Sequence, residues 1–196
     1  MMRAPLAPMM AAAIFLLTEA GCSSPDPNLY TIAPVSGTEH SGSPNVILLE
    51  QVGLERYLER PQIVRSSENY RLEVMANDQW GEPLGAMLSR ILVAELDQRL
   101  PRSAVIRETG AVSATPDATI AVNMQRLDED ASGSLVLQAQ VSVAFKGGSS
   151  PSLRAFRFNV APPTADIRGE VAAISTALGQ LADGIAVMVT ASRARA

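Results

Sequence analysis

The stretch Leu135-Val-Leu-Gln-Ala-Gln-Val-Ser-Val-Ala-Phe145 places apolar residues at its odd positions and polar residues at 138, 140 and 142. A period of two puts successive side chains on opposite faces of a β-strand. One face of this strand is therefore predicted to be buried and the other to be exposed. That arrangement is typical of an antiparallel sheet with one covered face.

Two further strands are predicted on either side of this one. Residues 118–127 and 156–160 show the same alternation of apolar and polar side chains. Segments rich in polar residues and glycine, at 128–133 and 147–152, separate the three strands and predict turns. The second half of the chain is therefore predicted to form an antiparallel meander.

Shorter strands are predicted at 29–32, 45–54, 62–64, 70–74 and 105–106. Two helices are predicted, at about 83–99 and 165–192, because apolar residues recur there every three or four positions. Asp78 is the candidate cap of the first helix, and Pro83 suits its first turn. The predicted fold class is α+β, with a largely antiparallel sheet covered on one face by the two helices.

The second predicted helix contains Gly169, Gly179 and Gly184. A glycine in an exposed helix interior costs up to about 1 kcal/mol relative to alanine, so packing rather than helix propensity is expected to hold this helix. Alternatively, the glycines let a neighbouring element approach closely. The continuous apolar stripe predicts a core helix in preference to a membrane-bound one.

The composition argues against several classes of function. The 196-residue chain has a formal net charge of −4 and one lysine, Lys146, so we expect no nucleic-acid partner. One cysteine, Cys22, and one histidine, His40, are too few for an internal disulfide or a Cys/His zinc site. His40 lies in a predicted solvated loop, 34–44, and general bases need a fixed geometry. We therefore expect a protein that is not an enzyme and that has no metal or organic cofactor.

Residues 1–21 are typical of a secretory signal peptide, with an apolar run at 9–17 that is too short to cross a bilayer. The segment Ala20-Gly-Cys22 resembles the lipobox of bacterial lipoproteins, although Glu19 replaces the usual aliphatic residue. We expect Cys22 to be acylated and to become the mature N-terminus. The alternative is an ordinary secreted protein with an incidental thiol. By resemblance to other lipoproteins, Ser23 implies the periplasmic side of the outer membrane rather than the inner membrane.

Three regions are predicted along the chain: a signal peptide at 1–21, a tether at 22–28 and one domain at 29–196. The tether is polar and rich in proline. Because its residues after the cysteine span at most about 20 Å, the domain is expected to lie close to its membrane.

Two segments between residues 52 and 84 carry a family resemblance. Val52-Gly-Leu-Glu-Arg-Tyr-Leu-Glu-Arg-Pro-Gln-Ile-Val64 and Gln79-Trp-Gly-Glu-Pro-Leu84 together resemble the motif of the ABC-type transport auxiliary lipoproteins of the paraquat-inducible protein C group. The sequence departs from that motif at four positions, of which one removes a charge: Glu55, Glu59, Gly81 and, with the lost charge, Gln79. With the lipobox and the two helices, the resemblance covers nearly the whole mature chain.

The resemblance implies a role as an accessory subunit in phospholipid transport. Such lipoproteins lie beside MCE-domain proteins, whose hydrophobic tunnels carry phospholipids between the inner and outer membranes. The implied partners are an MCE-domain tunnel protein and its inner-membrane complex. Nothing in this chain resembles a phosphate-binding loop, so any ATPase belongs to another chain. The alternative function is a periplasmic carrier that itself holds and transfers phospholipid.

A homo-oligomeric ring is also predicted. Exposed edge strands and an acyl tether on a small domain favour closed assembly, and a ring suits docking to a ring-shaped tunnel protein.

The motif supplies the candidate partner-binding residues, which are Tyr57, Arg60, Pro61, Gln62, Trp80 and Glu82. Aromatic, planar cationic and rigid residues on loops are enriched at interface hot spots. The structural alternatives are that Pro61 rigidifies the entry to a strand and that Trp80 packs the first helix against the sheet. For Arg60 the alternative is an internal ion pair with a carboxylate.

Overall fold

The structure, a computed structural model, describes residues 26–108, 114–148 and 150–193. The predicted signal peptide and Cys22 lie outside the described residues. The elements in chain order are β1 (Asn28–Tyr30), β2 (Val46–Leu49), β3 (Gly53–Leu54), the 3-10 turn Arg56–Leu58, β4 (Gln62–Ser66), β5 (Glu73–Trp80), α1 (Leu84–Arg99), β6 (Ala104–Arg107), β7 (Ala118–Glu129), β8 (Leu135–Phe145), β9 (Ser152–Val160) and α2 (Ile167–Arg193).

The sheet is organised around β7. Along one edge of β7 lies β8 in antiparallel orientation, and β9 continues antiparallel to β8. Along the other edge, β2, β3 and β4 follow one another, all parallel to β7. The sheet extends beyond β2 through β6 and beyond β4 through β5 and β1. Each of the three short strands therefore covers only part of the long one.

The predicted α+β class with two helices is confirmed, and the sheet is mixed. The predicted meander corresponds to β7, β8 and β9 and is antiparallel throughout. The pairing of β4 with β5 is also antiparallel, whereas the five other strand pairings in the described ranges are parallel. Alternation shows which face of a strand is buried but not the direction of the neighbouring strand, so these parallel pairings could not be predicted.

The core lies between one face of the sheet and the two helices. In β8, the odd-numbered residues from 135 to 143 are buried while Gln140 and Ala144 are exposed, as the alternation predicts. By length and hydropathy α2 resembles a membrane span, with a mean hydropathy of 1.5, but 67% of its apolar window is buried inside the fold. The prediction that α2 is a core helix is confirmed.

Two glycines of α2 admit neighbouring side chains. A Cβ atom at Gly184 would overlap the Phe156 ring from β9. A Cβ atom at Gly179 would lie 3.0 Å from Cβ of Val35. Close approach, which was the alternative explanation of these glycines, is therefore the correct one at both positions.

The predicted cap of α1 is wrong. Asp78 lies within β5, where its carboxylate accepts hydrogen bonds from Asn28 Nδ2 at 3.0 Å and from Tyr30 Oη at 2.9 Å. Pro83 takes the capping position of α1, with no side-chain cap. The carboxylate of Asp78 therefore holds the edge strand β1 against β5 rather than the helix.

The strand predicted at 70–74 is also displaced, because β5 begins only at Glu73. Asn69 and Tyr70 adopt positive φ angles of 55° and 62° in the connection between β4 and β5. Such a backbone conformation cannot continue a strand, so the turn extends further than the alternation suggested.

The predicted loop 34–44 has no regular secondary structure, and many of its residues are exposed, but its backbone is also bonded to the first helix. We call residues 33–40 the strap. The N–H of Val35 donates to Glu95 Oε1 at 2.9 Å, and the N–H of His40 donates to the carbonyl of Arg99 at 2.7 Å. These bonds hold the strap along α1, and His40 is half-buried there.

Candidate docking cleft

A cleft of about 670 Å³ lies where β3, the segment 59–61 after the 3-10 turn, the end of β5 and the start of α1 meet. Its volume falls within the range of roughly 300–1,000 Å³ that is usual for ligand pockets. The lining residues are Gln51, Val52, Gly53, Leu54, Glu59, Arg60, Pro61, Trp80, Glu82, Pro83, Leu84, Gly85 and Ala86. Both motif segments therefore contribute to one cavity, although they are far apart in the sequence.

The base of the cleft depends on a close contact between α1 and the chain before β3. A Cβ atom at Gly85 would lie 3.1 Å from the carbonyl oxygen of Val52, which is tighter than an ordinary contact. Next to it, Ser89 Oγ accepts the N–H of Val52 at 3.0 Å and donates to the carbonyl of Gly85 at 2.8 Å. Glycine and serine at these helix positions thus bring α1 against the chain and satisfy a buried backbone donor.

Trp80, the only tryptophan of the chain, forms part of the wall. Its side chain is 7% exposed and belongs to the hydrophobic core. Its backbone N–H donates to the carbonyl of Pro61 at 2.8 Å, which joins the two motif segments directly. Trp80 therefore packs in the core, as the structural alternative predicts, and it also borders the cleft.

Arg60 is half-buried at the cleft and has no internal ion pair in the described part of the chain. Its Nε donates to the carbonyl of Tyr57 at 3.0 Å. The two Nη atoms have no hydrogen bond to any described residue. The structural alternative for Arg60, a pair with an internal carboxylate, is therefore not observed.

The remaining charges at the cleft are acidic. Glu59 and Glu82 both line it, and Glu82 is paired with Arg90, whose Nε donates to the carboxylate at 3.0 Å. This pair is largely solvated, so it contributes little to stability. The cleft thus combines apolar walls with one guanidinium and two carboxylates, of which one is paired with an arginine.

Two of the six predicted site residues, Tyr57 and Gln62, do not line the cleft. Gln62 lies in β4, paired with Gln79 of β5, and does not line the cavity. Tyr57 donates from Oη to Asp128 Oδ2 at 2.8 Å, on the far side of the 3-10 turn. Burial first, and then the hydrogen bond to Asp128, raise the pKa of the Tyr57 phenol.

Asp128 is completely buried, although the segment 128–133 was predicted to be a turn. It lies inside β7, and its second oxygen accepts Arg126 Nε at 2.8 Å. Arg126 also donates to Glu68 at 2.7 Å and to the carbonyl of Glu129 at 3.1 Å. No local signal in the sequence distinguishes Asp128 from a turn residue, because its burial depends on partners distant in the chain.

Glu170, in the first turn of α2, lies next to this group. It is 1% exposed, and neither carboxyl oxygen has a hydrogen-bond partner in the described part of the chain. Arg65 donates to Glu129 at 3.2 Å and to the carbonyl of Ala165 at 2.9 Å. Burial, and then the neighbouring Glu129, raise the pKa of Glu170 to about 8. We call Tyr57, Glu68, Arg126, Asp128, Glu129, Arg65 and Glu170 the Asp128 network.

No cluster of three or more His, Cys, Asp or Glu side chains within residues 26–108, 114–148 and 150–193 is arranged to hold a metal ion. Four of the predicted site residues meet in the cleft, namely Arg60, Pro61, Trp80 and Glu82. The sequence prediction missed Leu54, Gly85 and the other apolar lining residues. These residues lie inside or beside the motif segments, so their position next to the motif was the signal that could have indicated them.

The model of the ABC-type transport auxiliary lipoprotein component family matches residues 30–186. The chain belongs to this family. It is thus an auxiliary component associated with a transport system, from a lipoprotein family of the cell envelope. No curated protein matches the chain.

Solved structures share the fold of this auxiliary component. One, an uncharacterised protein, has a TM-score of 0.70 at 19% identity, over 83% of this chain and 97% of its own. A protein from Xanthomonas campestris also has a TM-score of 0.70, at 15% identity, over 86% of this chain and 99% of its own. A PelC dodecamer from Paraburkholderia phytofirmans has a TM-score of 0.44 at 10% identity, over 82% of this chain and 99% of its own, which is too distant to inform assembly here.

Proposed function

We propose that the protein is a docking subunit of an MCE-type system that moves phospholipid between the two membranes. In this proposal it is a periplasmic lipoprotein of the outer membrane, it catalyses no reaction, and its partners are an MCE-domain tunnel protein and the inner-membrane complex of that protein. The MCE system and the outer-membrane location rest on the resemblance of the motif and of the lipobox.

The observation that carries the proposal is the convergence of the two motif segments on one cleft. Next to a rigid proline, the cleft combines a buried tryptophan with a guanidinium that has no internal carboxylate, and tryptophan and arginine are enriched at interface hot spots. An arginine with unused donors at an apolar cleft is suited to a partner that presents an acceptor, such as a carboxylate or a carbonyl. We therefore expect an apolar segment of the tunnel protein to bind here.

Charge reversal at Arg60 tests the docking role. Arg60→Glu is expected to weaken partner capture by more than about 2 kcal/mol, because the reversed charge repels the acceptor that arginine binds. The melting temperature should change little, since no internal ion pair is broken.

The matched control is Arg56→Glu, an exposed arginine in the adjacent 3-10 turn that does not line the cleft. Binding is measured with the co-expressed MCE-domain protein, and the fluorescence of Trp80 provides a signal from inside the cleft. Equal capture by the wild type and Arg60→Glu, with both folded, would remove Arg60 from the interface.

The apolar walls of the same cleft favour a second candidate function, a carrier that holds phospholipid itself. Val52, Leu54, Trp80 and Leu84 offer a surface for an acyl chain. Native mass spectrometry of the purified protein separates the two functions. A carrier is expected to retain phospholipid at one molecule per chain, whereas a docking subunit is expected to be free of it.

The anchor is tested separately at Cys22. Metabolic labelling with palmitate should mark the wild type and not Cys22→Ser, and membrane fractionation should place the labelled protein in the outer membrane. Equal labelling of both proteins, or of neither, would contradict acylation at Cys22.

The proposed homo-oligomeric ring is supported by edge strands that remain exposed, among them β9, which pairs only with β8 in the described part of the chain. A soluble form that begins at Ser23 is expected to assemble at high concentration. A monomer at millimolar concentration, measured by sedimentation, would contradict the ring.

A further inference from the structure

We infer that Tyr57 and Asp128 are positioning residues, which hold Arg60 in place at the cleft and thereby set its affinity for a partner. This inference rests on the proposed docking function. It assigns to Tyr57 a role different from the direct contact predicted from the motif.

The first step is the geometry of Tyr57, which is bonded at both ends. Its carbonyl accepts Nε of Arg60 at 3.0 Å on the side of the cleft. Its hydroxyl donates to Asp128 at 2.8 Å on the side of the sheet. Tyr57 is the middle residue of the 3-10 turn, which has only three residues, and Leu58 of the same turn is buried. A shift of the Tyr57 ring would therefore move the carbonyl that orients Arg60.

The second step is the rigidity of the anchor. Asp128 is 0% exposed and lies in the long strand β7, where Arg126 Nε donates to its other oxygen at 2.8 Å. A hydrogen bond from a phenol to an ionised carboxylate is stronger than one between neutral groups. A phenol is protonated at neutral pH, and the raised pKa of Tyr57 keeps it a donor at alkaline pH as well.

The consequence is preorganisation of the guanidinium. A side chain that is already fixed loses less conformational entropy when a partner binds it. Removing the Tyr57 hydroxyl is expected to release the turn from β7 and to give Arg60 more freedom, while the ring still fills its place in the structure.

The first experiment needs no partner. Solvent exchange of the Arg60 Nε proton, measured by side-chain nitrogen-15 NMR, should accelerate roughly fivefold in Tyr57→Phe, as expected for the loss of about one hydrogen bond. Tyr30→Phe is the matched control, since Tyr30 donates to Asp78 at 2.9 Å outside the cleft. Unchanged exchange in Tyr57→Phe would overturn the inference, whatever the partner does.

The second experiment is a double-mutant cycle of binding to the co-expressed MCE-domain protein. Tyr57→Phe should weaken binding roughly fivefold when Arg60 is present and not at all in the Arg60→Ala background. Equal weakening in both backgrounds would show that Tyr57 affects binding independently of Arg60, and would overturn the inference.

The two proposals fail in different ways. If Arg60→Ala binds the partner as well as the wild type, docking through Arg60 is wrong, and so is the claim that Tyr57 sets affinity. Accelerated exchange of the Nε proton would then still establish that Tyr57 orients the side chain.

Discussion

Two buried polar clusters link the helices to the rest of the fold, and a buried side chain in each, Arg99 in one and Glu170 in the other, differs in how completely it is bonded. The first surrounds Arg99 at the end of α1, where the strap crosses both helices. Arg99 is 1% exposed and makes four hydrogen bonds, to Asp183, to the carbonyls of Val35 and Gly179, and to the carbonyl of Glu95. The second is the Asp128 network, in which Glu170 is equally buried and neither carboxyl oxygen has a described partner.

The difference follows from the chemistry of the two side chains. A guanidinium has five donors in a plane and collects backbone carbonyls from several elements at once, so its burial is compensated. A carboxylate needs donors, and the charged neighbours that act most strongly on Glu170 are Glu129, Arg65, Asp128 and Glu73, three of which are acidic. The hydrogen bonds of Arg99 are therefore expected to contribute to stability at any pH, whereas Glu170 is expected to make stability depend on pH, with a smaller contribution from Glu95 beside Arg99.

The largest effect is expected from breaking the Arg99 cluster. Arg99→Ala removes a donor from three backbone carbonyls and from Asp183, and it opens a cavity between the helices. Each buried carbonyl left without a donor costs about 1–3 kcal/mol and the cavity adds to this, whereas Asp183 stays solvated, so we expect a loss of about 3–5 kcal/mol in the free energy of unfolding in urea.

Arg102→Ala is the control, because Arg102 is exposed just after α1. It should change the free energy of unfolding by less than about 0.5 kcal/mol. A loss below about 1 kcal/mol for Arg99→Ala would show that the cluster is not the main link between the strap and the helices.

The next effect is a dependence of stability on pH that originates in the Asp128 network. The pKa of Glu170 rises from an ordinary value of 4.5 to about 8 on folding. Between these values the folded state holds a proton that the unfolded state has released, so stability falls as the pH rises and levels off above about 8. Between pH 5 and pH 9 we expect a loss of about 2–4 kcal/mol in the free energy of unfolding.

Glu170→Gln is expected to remove most of this dependence, because the amide does not titrate. Glu95→Gln should remove a smaller part, since burial raises the pKa of Glu95 to about 7, against the opposing hydrogen bond from Val35. A profile that rises towards alkaline pH in the wild type, or that is unchanged in Glu170→Gln, would contradict the comparison.

The smallest effect is expected where the strap packs on α2. Gly179→Ala introduces a Cβ atom 3.0 Å from Val35, so the strap must move slightly, at a cost of about 1 kcal/mol despite the better helix propensity of alanine. Thermal melting measures this cost, and Gln180→Ala, an exposed change one residue further along, is the control. A stabilised Gly179→Ala variant would show that the strap is not tightly packed.

The candidate site was only partly predictable. The motif indicated that residues around 60 and 80 act together, and the structure places Arg60 and Trp80 on one cleft. Tyr57 was predicted to join them because it lies in the same motif and is aromatic, as many hot-spot residues are. Its side chain reaches Asp128 instead, and no pattern in the sequence relates these two residues, which are 71 positions apart.

The sequence by itself determined the features that depend on local periodicity. Alternation over residues 135–145 was enough to predict a half-buried strand, and the apolar stripe of α2 was enough to predict a core helix, because side-chain direction follows directly from backbone repeat. Only the tertiary structure decided which strands pair in parallel, that Asp128 is buried, and that Asp78 binds β1 rather than capping α1. Those outcomes depend on which residues, distant in the sequence, form hydrogen bonds with a strand or a polar side chain. A local sequence pattern does not identify such partners.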